Sequence, residues 1–295
     1  MMAPDDPPLH AWLRERLGED PAWRRVTTAR TDGGHAVWQV TGAAGAGVIV
    51  KRSAGARAFA QEHHAYAAWA PHLAEETAAL LAAFPATRTL VLSVAAGAAL
   101  GAASEAAASE AHWRAGRFLR RLHAIAEADG DPLALAEAVA RRFAAWLGRV
   151  ERRLAAEELR RLRALAAEIP GRFASATRAP CHRDFDAHNW LCRGPIAGGV
   201  RTRVTALVVV DFEHARLDDP VADFAKLTAT LRPEHRAREE ALLAGYGREL
   251  DAGEQGRLHV HVALHALATL AWAHEHRDPT WLAAGERALA VALTT

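Results

Sequence analysis

Cysteine, lysine and long apolar runs are all scarce in this sequence, and their scarcity excludes several classes of protein. The only cysteines are Cys181 and Cys192, too few for a disulfide framework or a zinc pattern, so a reducing cytoplasm is the expected compartment. The longer apolar stretches are alanine-rich and interrupted by Arg, Glu or His, so no segment is expected to span a membrane. Residues 1–8 are polar and proline-rich, unlike the start of a signal peptide.

Charge of one sign is not in excess either. The chain has 36 Lys and Arg residues against 35 Asp and Glu residues, a formal net charge of +1. This balance gives no electrostatic basis for binding nucleic acid or an acidic membrane surface. The chain does have length and apolar content: with 295 residues, 51% of them hydrophobic, it can bury a large core as one domain or as two lobes.

Lysine occurs only at Lys51 and Lys226, in a chain that otherwise uses arginine for positive charge. Because phosphate sites often use a compact ammonium group, a rare lysine suggests a specific role. Lys51 ends an apolar stretch and fits such a role. Lys226 falls inside a predicted helix, matches no motif and is interpreted as an ordinary surface lysine.

Apolar spacing predicts an α+β fold, with a small antiparallel sheet and one helix in the first third and mostly helices after it. The predicted strands are residues 23–28, 35–41, 48–51, 80–84 and 89–94. The predicted helix, residues 54–70, is expected to end at Pro71. The resulting boundary divides the chain into residues 1–94 and 95–295.

One stretch, residues 181–190, combines residue types that phosphoryl transfer requires. Its skeleton is His182-x-Asp184 followed by Asn189, and an apolar run downstream ends in Asp211-Phe212-Glu213. An acid can sit beside a substrate hydroxyl, an amide can hold a metal ion, and a second acid can lie at the tip of a buried strand.

These residues resemble the aminoglycoside phosphotransferase and choline-kinase-like branch of the protein-kinase-like fold. The matching pieces occur in the same order as in that branch, and together they cover nearly the whole chain. They are Lys51, Glu62, His182-x-Asp184-x4-Asn189, Asp211-Phe212-Glu213 and Asp219-Pro220-x-x-Asp223. The resemblance implies an N-terminal nucleotide-binding lobe, residues 1–94, and a larger helical lobe, residues 95–295, with the catalytic loop and the acceptor site.

The resemblance also implies a role for each central residue. Asp184 would be the catalytic residue that orients the acceptor hydroxyl and takes its proton. Asn189 and Asp211 would supply oxygen ligands to Mg²⁺. Lys51 would bind the phosphates of ATP or GTP, and Glu62 would pair with Lys51 and fix its direction.

Two further nucleotide contacts are predicted on weaker patterns. Gly33 and Gly34 lie where related enzymes place a loop over the nucleotide, although adjacent glycines also suit a plain hairpin turn. Ser93 and Val94 belong to the segment between the lobes, whose backbone could bind a purine base.

The flanking residues have supporting roles or roles that stay open. His182 is expected to be structural, and Asp219 and Asp223 are expected to brace the start of a helix. Arg183 stands where the branch usually carries glycine, and it is expected to brace a neighbouring carboxylate. Glu213 has two open interpretations: it lies near a metal ion or an acceptor amine, or it faces solvent.

The acceptor is expected to be a small molecule with a hydroxyl group. The few residues between Asp211 and Asp219 leave no room for the activation segment with which a protein kinase binds peptide. The pocket for the acceptor is expected in the helices of residues 132–169 and around Trp272 and Trp281. Five histidines near the C-terminus are interpreted as packing or solvated rather than zinc ligands. They are His259, His261, His265, His274 and His276.

The predicted function is transfer of the γ-phosphoryl group of ATP or GTP to an antibiotic. Asp186, Glu213 and Asp218 lie near the motif, but there is no dense acidic run. This favours a macrolide, a nucleoside antibiotic or another sugar-bearing compound over an aminoglycoside. Two alternatives stay open: a kinase of choline, a sugar or an amino alcohol, and a non-catalytic nucleotide-binding pseudokinase. The expected assembly is a monomer or a weak homodimer.

Overall fold

The computed structural model describes residues 5–26, 36–131, 133–230 and 235–294. The chain forms two compact units: unit 1 comprises Met1–Ala103 and Ala187–Arg216, and unit 2 comprises Ser104–Asp186 and Leu217–Thr295. The division therefore differs from the expected boundary after Val94. The reason is a sheet in unit 1 that joins Ala98–Ala99 to strands about 90 residues further along the chain.

The main sheet of unit 1 is antiparallel, with the strand order β1-β2-β3-β5-β4. Its strands are β1 (Ala22–Arg25), β2 (Ala36–Thr41), β3 (Gly47–Arg52), β4 (Leu80–Phe84) and β5 (Thr89–Ser93). Alternate residues of β2 are buried, as its apolar alternation predicts. Leu9 and Leu13 of helix α1 (Pro7–Leu17) share a hydrophobic core with these residues. The predicted antiparallel sheet is thus confirmed.

The helix between β3 and β4 continues past its predicted end. It comprises α2 (Ala56–His64), a π-helical turn (Ala65–Trp69) and α3 (Ala70–Leu73), which contains Pro71. Proline is tolerated here because the preceding wide turn resets the hydrogen-bond pattern and places Pro71 in the first turn of α3. The expectation that Pro71 ends the helix is therefore wrong.

A second sheet of unit 1 has the strand order β11-β8-β6. Its strands are β6 (Ala98–Ala99), β8 (Trp190–Arg193) and β11 (Ala206–Val209). Between β8 and β11 the chain forms a hairpin of β9 (Ile196–Ala197) and β10 (Val200–Arg201). Gly198 and Gly199 join these two strands with φ values of 55° and 78°, the left-handed pair that a tight hairpin turn requires.

Unit 2 is mainly helical, with a core to which five of its helices contribute. The helices are α4 (Glu105–His123), α5 (Leu135–Val150), α6 (Ala156–Arg172), α7 (Ala225–Thr230), α8 (Arg236–Tyr246), α9 (Ala252–His276) and α10 (Pro279–Thr294). The short strands β7 (Ala179–Cys181) and β12 (Arg216–Asp218) complete the order. Among the described residues, no helix has both the length and the apolar composition to cross a bilayer.

Glycine allows α4 and α8 to approach closely. A Cβ atom on Gly116 of α4 would lie 2.0 Å from the carbonyl oxygen of Leu242, and one on Gly245 of α8 would lie 1.9 Å from that of Trp113. Both distances are far below van der Waals contact, so only glycine fits at either position. This contact fixes α4, which carries His123 toward the predicted catalytic loop.

Candidate active site

Lys51 lies at the centre of a cluster of carboxylates in unit 1. It belongs to β3, which pairs with β2 and β5, so its backbone is held in the interior of the sheet. Its Nζ lies 2.8 Å from Oε1 of Glu62, 2.6 Å from Oδ1 of Asp211 and 3.8 Å from Oε2 of Glu213. The expected pairing of Lys51 with Glu62 is present, and Glu213 faces the same ammonium group.

Burial and charge oppose each other within this cluster. Burial by itself would lower the pKa of Lys51, but the three carboxylates outweigh it and raise that pKa well above its ordinary value. Burial raises the pKa of Glu62 to about 7, against the lowering effect of Lys51. With all groups ionised, one ammonium and three carboxylates leave two negative charges. In that state the cluster has the charge that a divalent cation would balance.

Asp211 and Asn189 are brought together by the pairing of two strands in unit 1. β11 pairs with β8 so that Val209 lies opposite Trp190. The ladder extends one step further, because the amide of Val210 donates to the carbonyl of Asn189 at 3.0 Å. Asp211 follows at once, so the two expected metal ligands lie at the same end of adjacent strands.

The backbone at Asp211 is left-handed, with φ of 72°, a conformation that Asp tolerates better than most residues. Phe212 is buried and makes an edge contact with the ring of Tyr66, with centroids 5.2 Å apart. The Asp211 side chain keeps 39% of its surface exposed. Its oxygens are therefore accessible, and the oxygens of Asn189, Asp211 and Glu213 are of the type that Mg²⁺ prefers.

The predicted catalytic loop belongs to unit 2 up to Asp186, and Asp223 holds its backbone. The Asp223 carboxylate accepts from the amides of His182 at 2.8 Å and Arg183 at 2.6 Å. It also lies 3.1 Å from Nε2 of His123. Burial would raise the pKa of Asp223, but the contact with His123 and the other partners lower it below its ordinary value. Asp223 therefore braces this loop, rather than the helix start that the sequence suggested.

Arg183 has φ of 68°, in the left-handed region. This explains physically why glycine suits the position, since glycine adopts such a conformation without strain. The Arg183 side chain extends to Asp218, with Nε 3.2 Å from Oδ2. Asp218 also accepts from Arg142, at 2.8 Å from Nη2. The expected bracing of a neighbouring carboxylate by Arg183 is thus confirmed.

Lys226 is not an ordinary surface lysine, and that interpretation is wrong. Its Nζ lies 2.8 Å from Oδ1 of Asp184 and 3.9 Å from Oδ2 of Asp186, and its side chain is 15% exposed. Two features of the sequence favoured a specific role for Lys226. It is one of only two lysines, and it follows Asp223 by one helical turn. The contact with Asp184 could not be found because it joins residues 42 positions apart.

Asp219 precedes the 3₁₀ helix Pro220–Phe224 as predicted, but its side chain does not cap that helix. It instead lies 3.1 Å from Nε of Arg257 and 3.1 Å from Nε2 of His261, both on α9. Burial lowers the pKa of His261, and burial together with Lys226 lowers the pKa of His265 to about 4. These histidines are packing residues of α9, neutral near pH 7.

The predicted nucleotide contacts at two glycines and at the segment between the lobes are not tested by the structure. Gly33 and Gly34 lie outside the described residues. The amide of Ser93 donates to the carbonyl of Ala79 at 2.9 Å, so the sheet already uses it, and the side chain of Val94 is exposed. A nucleotide contact at these four residues stays a prediction. Trp272 is 39% exposed, and its ring centroid lies 5.6 Å from that of Trp281.

Solved structures share this fold at low sequence identity. A ternary complex of APH(2″)-IIa with streptomycin and ATP is 16% identical, with a TM-score of 0.64 over 100% of this chain and 98% of that one. The macrolide 2′-phosphotransferase apoenzyme from Brachybacterium faecium is 16% identical, with a TM-score of 0.62 over 96% and 97%. A choline/ethanolamine kinase family protein from Mesorhizobium loti is 18% identical, with a TM-score of 0.60 over 97% and 99%.

These likenesses confirm the expected protein-kinase-like α+β fold. Among curated proteins, none matches this chain. A family model described as the phosphotransferase enzyme family matches residues 26–259, which include Lys51, Asp184 and Asp211. Because the match spans well over half of the sequence, this chain belongs to the phosphotransferase enzyme family.

Proposed function

We propose that this protein transfers the γ-phosphoryl group of ATP or GTP to a hydroxyl of a small molecule, with an uncharged, sugar-bearing antibiotic as the acceptor class. The observation that carries the proposal is the cluster around Lys51. An ammonium group held by Glu62 and Asp211 at 2.8 and 2.6 Å is preorganised to bind phosphate oxygens.

The nucleotide side of the reaction uses residues of unit 1. Lys51 would bind phosphate oxygens, and the buried Glu62 would keep its ammonium group in place. Asn189 and Asp211 would hold Mg²⁺, with Glu213 close by, and the surplus of carboxylates over ammonium groups in the cluster supports this donor set. The bound ion would neutralise charge on the phosphates.

The acceptor side uses Asp184 of unit 2. The acceptor hydroxyl would donate a hydrogen bond to the Asp184 carboxylate, which orients it and takes its proton. The new bond forms between the hydroxyl oxygen and the γ-phosphorus. The bond from the γ-phosphorus to the bridging oxygen breaks, and the nucleoside diphosphate leaves.

The charges near Asp184 favour an uncharged acceptor over a polycation. Each of the three acids close to the motif already faces a cation of the same unit. Asp218 pairs with Arg142 and Arg183, Asp186 lies 3.9 Å from Lys226, and Glu213 lies 3.8 Å from Lys51. An acceptor amine would have to compete with these internal cations for its carboxylate. The same argument weighs against choline or another amino alcohol.

A nucleotide-consumption screen tests this function. Macrolides, nucleoside antibiotics, aminoglycosides, simple sugars and choline are each incubated with the protein and Mg²⁺, using ATP and GTP separately. We expect consumption with an uncharged sugar-bearing acceptor, and a product heavier by one phosphate. Selective phosphorylation of an aminoglycoside or of choline would contradict the acceptor class.

Two variants and a control connect the activity to the site. Asp184→Asn and Asp211→Asn are each expected to lower kcat by at least about a thousandfold while leaving the protein folded. Asp20→Asn, at an exposed position in unit 1, should behave as wild type. Wild-type turnover in both site variants would refute the proposed function.

A further inference from the structure

Lys226, the second of only two lysines in the sequence, lies against Asp184, the residue proposed as the catalytic base. It is the second residue of α7, and its Nζ lies 2.8 Å from Oδ1 of Asp184. The contact is sheltered rather than fully solvated, because the side chains of Lys226 and Asp184 are 15% and 33% exposed. At such a site an ion pair has more effect than on an open surface.

The same helical segment holds the loop at a second point. Asp223 lies three residues before Lys226, and its carboxylate binds the amides of His182 and Arg183 at 2.8 and 2.6 Å. Asp223 thus fixes the backbone directly before Asp184, and Lys226 fixes the Asp184 side chain. Two attachments from consecutive turns leave the carboxylate little freedom to rotate.

Two neighbouring groups, Asp186 and His265, favour the contact of Lys226 with this loop. Asp186 is a second carboxylate, 3.9 Å away. His265 of α9, against which α7 packs, has a pKa lowered to about 4, partly by Lys226 itself. His265 therefore contributes no positive charge near pH 7.

We propose that Lys226 is a positioning residue: it fixes the orientation of the Asp184 carboxylate that receives the acceptor hydroxyl, and it occupies the cation position between Asp184 and Asp186. The catalytic part of this inference rests on the proposed function. The ion pair itself does not, so the two can be tested separately.

The ion pair can be observed directly because the chain has only two lysines. Protein labelled with ¹³C and ¹⁵N at lysine should give two side-chain signals by NMR, and Lys226→Arg assigns them by deleting one. We expect Asp184→Asn to move the Lys226 signal and to leave that of Lys51 in place. Asp211→Asn should do the reverse. A Lys226 signal that does not respond to Asp184→Asn overturns the proposal, whatever the activity of the protein.

The positioning role predicts a specific kinetic pattern with the acceptor that the screen identifies. Lys226→Met keeps much of the side-chain length but removes the charge, and it should lower kcat about tenfold to a hundredfold, since small misplacements of a reacting group have effects of that size. The KM for nucleotide should stay within about twofold, because Lys51 is unchanged. Lys226→Arg, which retains the charge, should recover part of the loss.

Arg236→Met provides the matched control, because it removes an exposed ion pair with Glu240 on α8 of unit 2. It should leave kcat unchanged, and thermal unfolding should show that all three variants are folded. A wild-type kcat in Lys226→Met would overturn the positioning role. An inactive wild-type protein would instead refute the proposed function, while the NMR result would still decide whether Lys226 holds Asp184.

Discussion

At the residue scale, the predicted catalytic loop and the predicted metal site each contain one strained backbone position. Arg183 has φ of 68° and Asp211 has φ of 72°. Aspartate tolerates this region comparatively well, but arginine does not. Arg183 is stabilised there because its amide binds Asp223 and its side chain lies 3.2 Å from Asp218. Such strain concentrates at sites where a neighbouring group must be held in one direction.

The strain at Arg183 leads to a prediction that reverses the usual effect of glycine. Arg183→Gly and Arg183→Ala both remove the ion pair with Asp218, but only glycine relieves the left-handed backbone. We expect the glycine variant to be more stable than the alanine variant by about 1 kcal/mol. Urea unfolding of the two variants measures this difference. An alanine variant of equal or greater stability would show that φ at this position relaxes in solution.

At the element scale, α9 connects the loop residues to the helical core of unit 2. His261 of α9 contacts Asp219, and His265 lies close enough to Lys226 for the lysine charge to lower its pKa. α9 also contributes to a core with α5, α6, α7 and α10. The helix therefore carries two largely buried histidines whose lowered pKa values keep them neutral near pH 7.

The lowered pKa values on α9 predict acid sensitivity. In unfolded chains histidine has a pKa of about 6.5, whereas the pKa of His265 is lowered to about 4 in the folded protein. A histidine whose pKa is lowered by folding contributes its full stability at a pH above its unfolded-state pKa. This stability is lost as the pH falls toward the folded-state pKa. His265 should therefore reduce the free energy of unfolding by roughly 2 kcal/mol between pH 7 and pH 5.

Urea unfolding at pH 7 and pH 5 measures this loss. His265→Gln, which cannot gain the charge, should have a smaller loss than wild type. His276→Gln, at an exposed position of the same helix, serves as the control and should retain the full loss. Equal losses in wild type and His265→Gln would mean that His265 does not cause the acid sensitivity.

At the scale of the whole molecule, local sequence patterns predicted the helices and strands. They could not predict the contacts between segments that are distant in sequence. β2 and β3 of the first sheet are consecutive in sequence and largely alternate in burial, so both could be predicted from a few residues each. The pairing of β6 with β8 and the contact of Lys226 with Asp184 join segments about 90 and 42 residues apart. Neither leaves a local pattern, because each depends on the folded path of the chain.

The predicted site divides in the same way. The resemblance named Lys51, Glu62 and Asp211 for their residue types in the motif, and the structure has them in contact. Asp223 was found for its position but given the wrong target, since a carboxylate at a helix start usually binds that helix. Here it binds the two amides preceding Asp184 instead, which only the fold reveals.

The distribution of charge over the whole molecule leads to the last prediction. The chain has a net charge of +1, yet the cluster of Lys51 with Glu62, Asp211 and Glu213 carries two negative charges when all four groups are ionised. Nucleotide with Mg²⁺ should therefore stabilise the folded protein, and nucleotide with EDTA should do so much less. At a nucleotide concentration a hundred times the Kd, mass action gives about 2.7 kcal/mol of added stability.

Chemical unfolding with ATP or GTP, with and without Mg²⁺, tests the assignment without any acceptor. Asp211→Asn should remove most of the Mg²⁺-dependent part, because it deletes one negative charge of the cluster and one expected metal ligand. Asp20→Asn should preserve it. If EDTA leaves the stabilisation by nucleotide intact, the oxygens of Asn189 and Asp211 do not hold the ion. Protonation of Glu62 would then lower the negative charge of the cluster instead, since burial already raises the pKa of Glu62 to about 7.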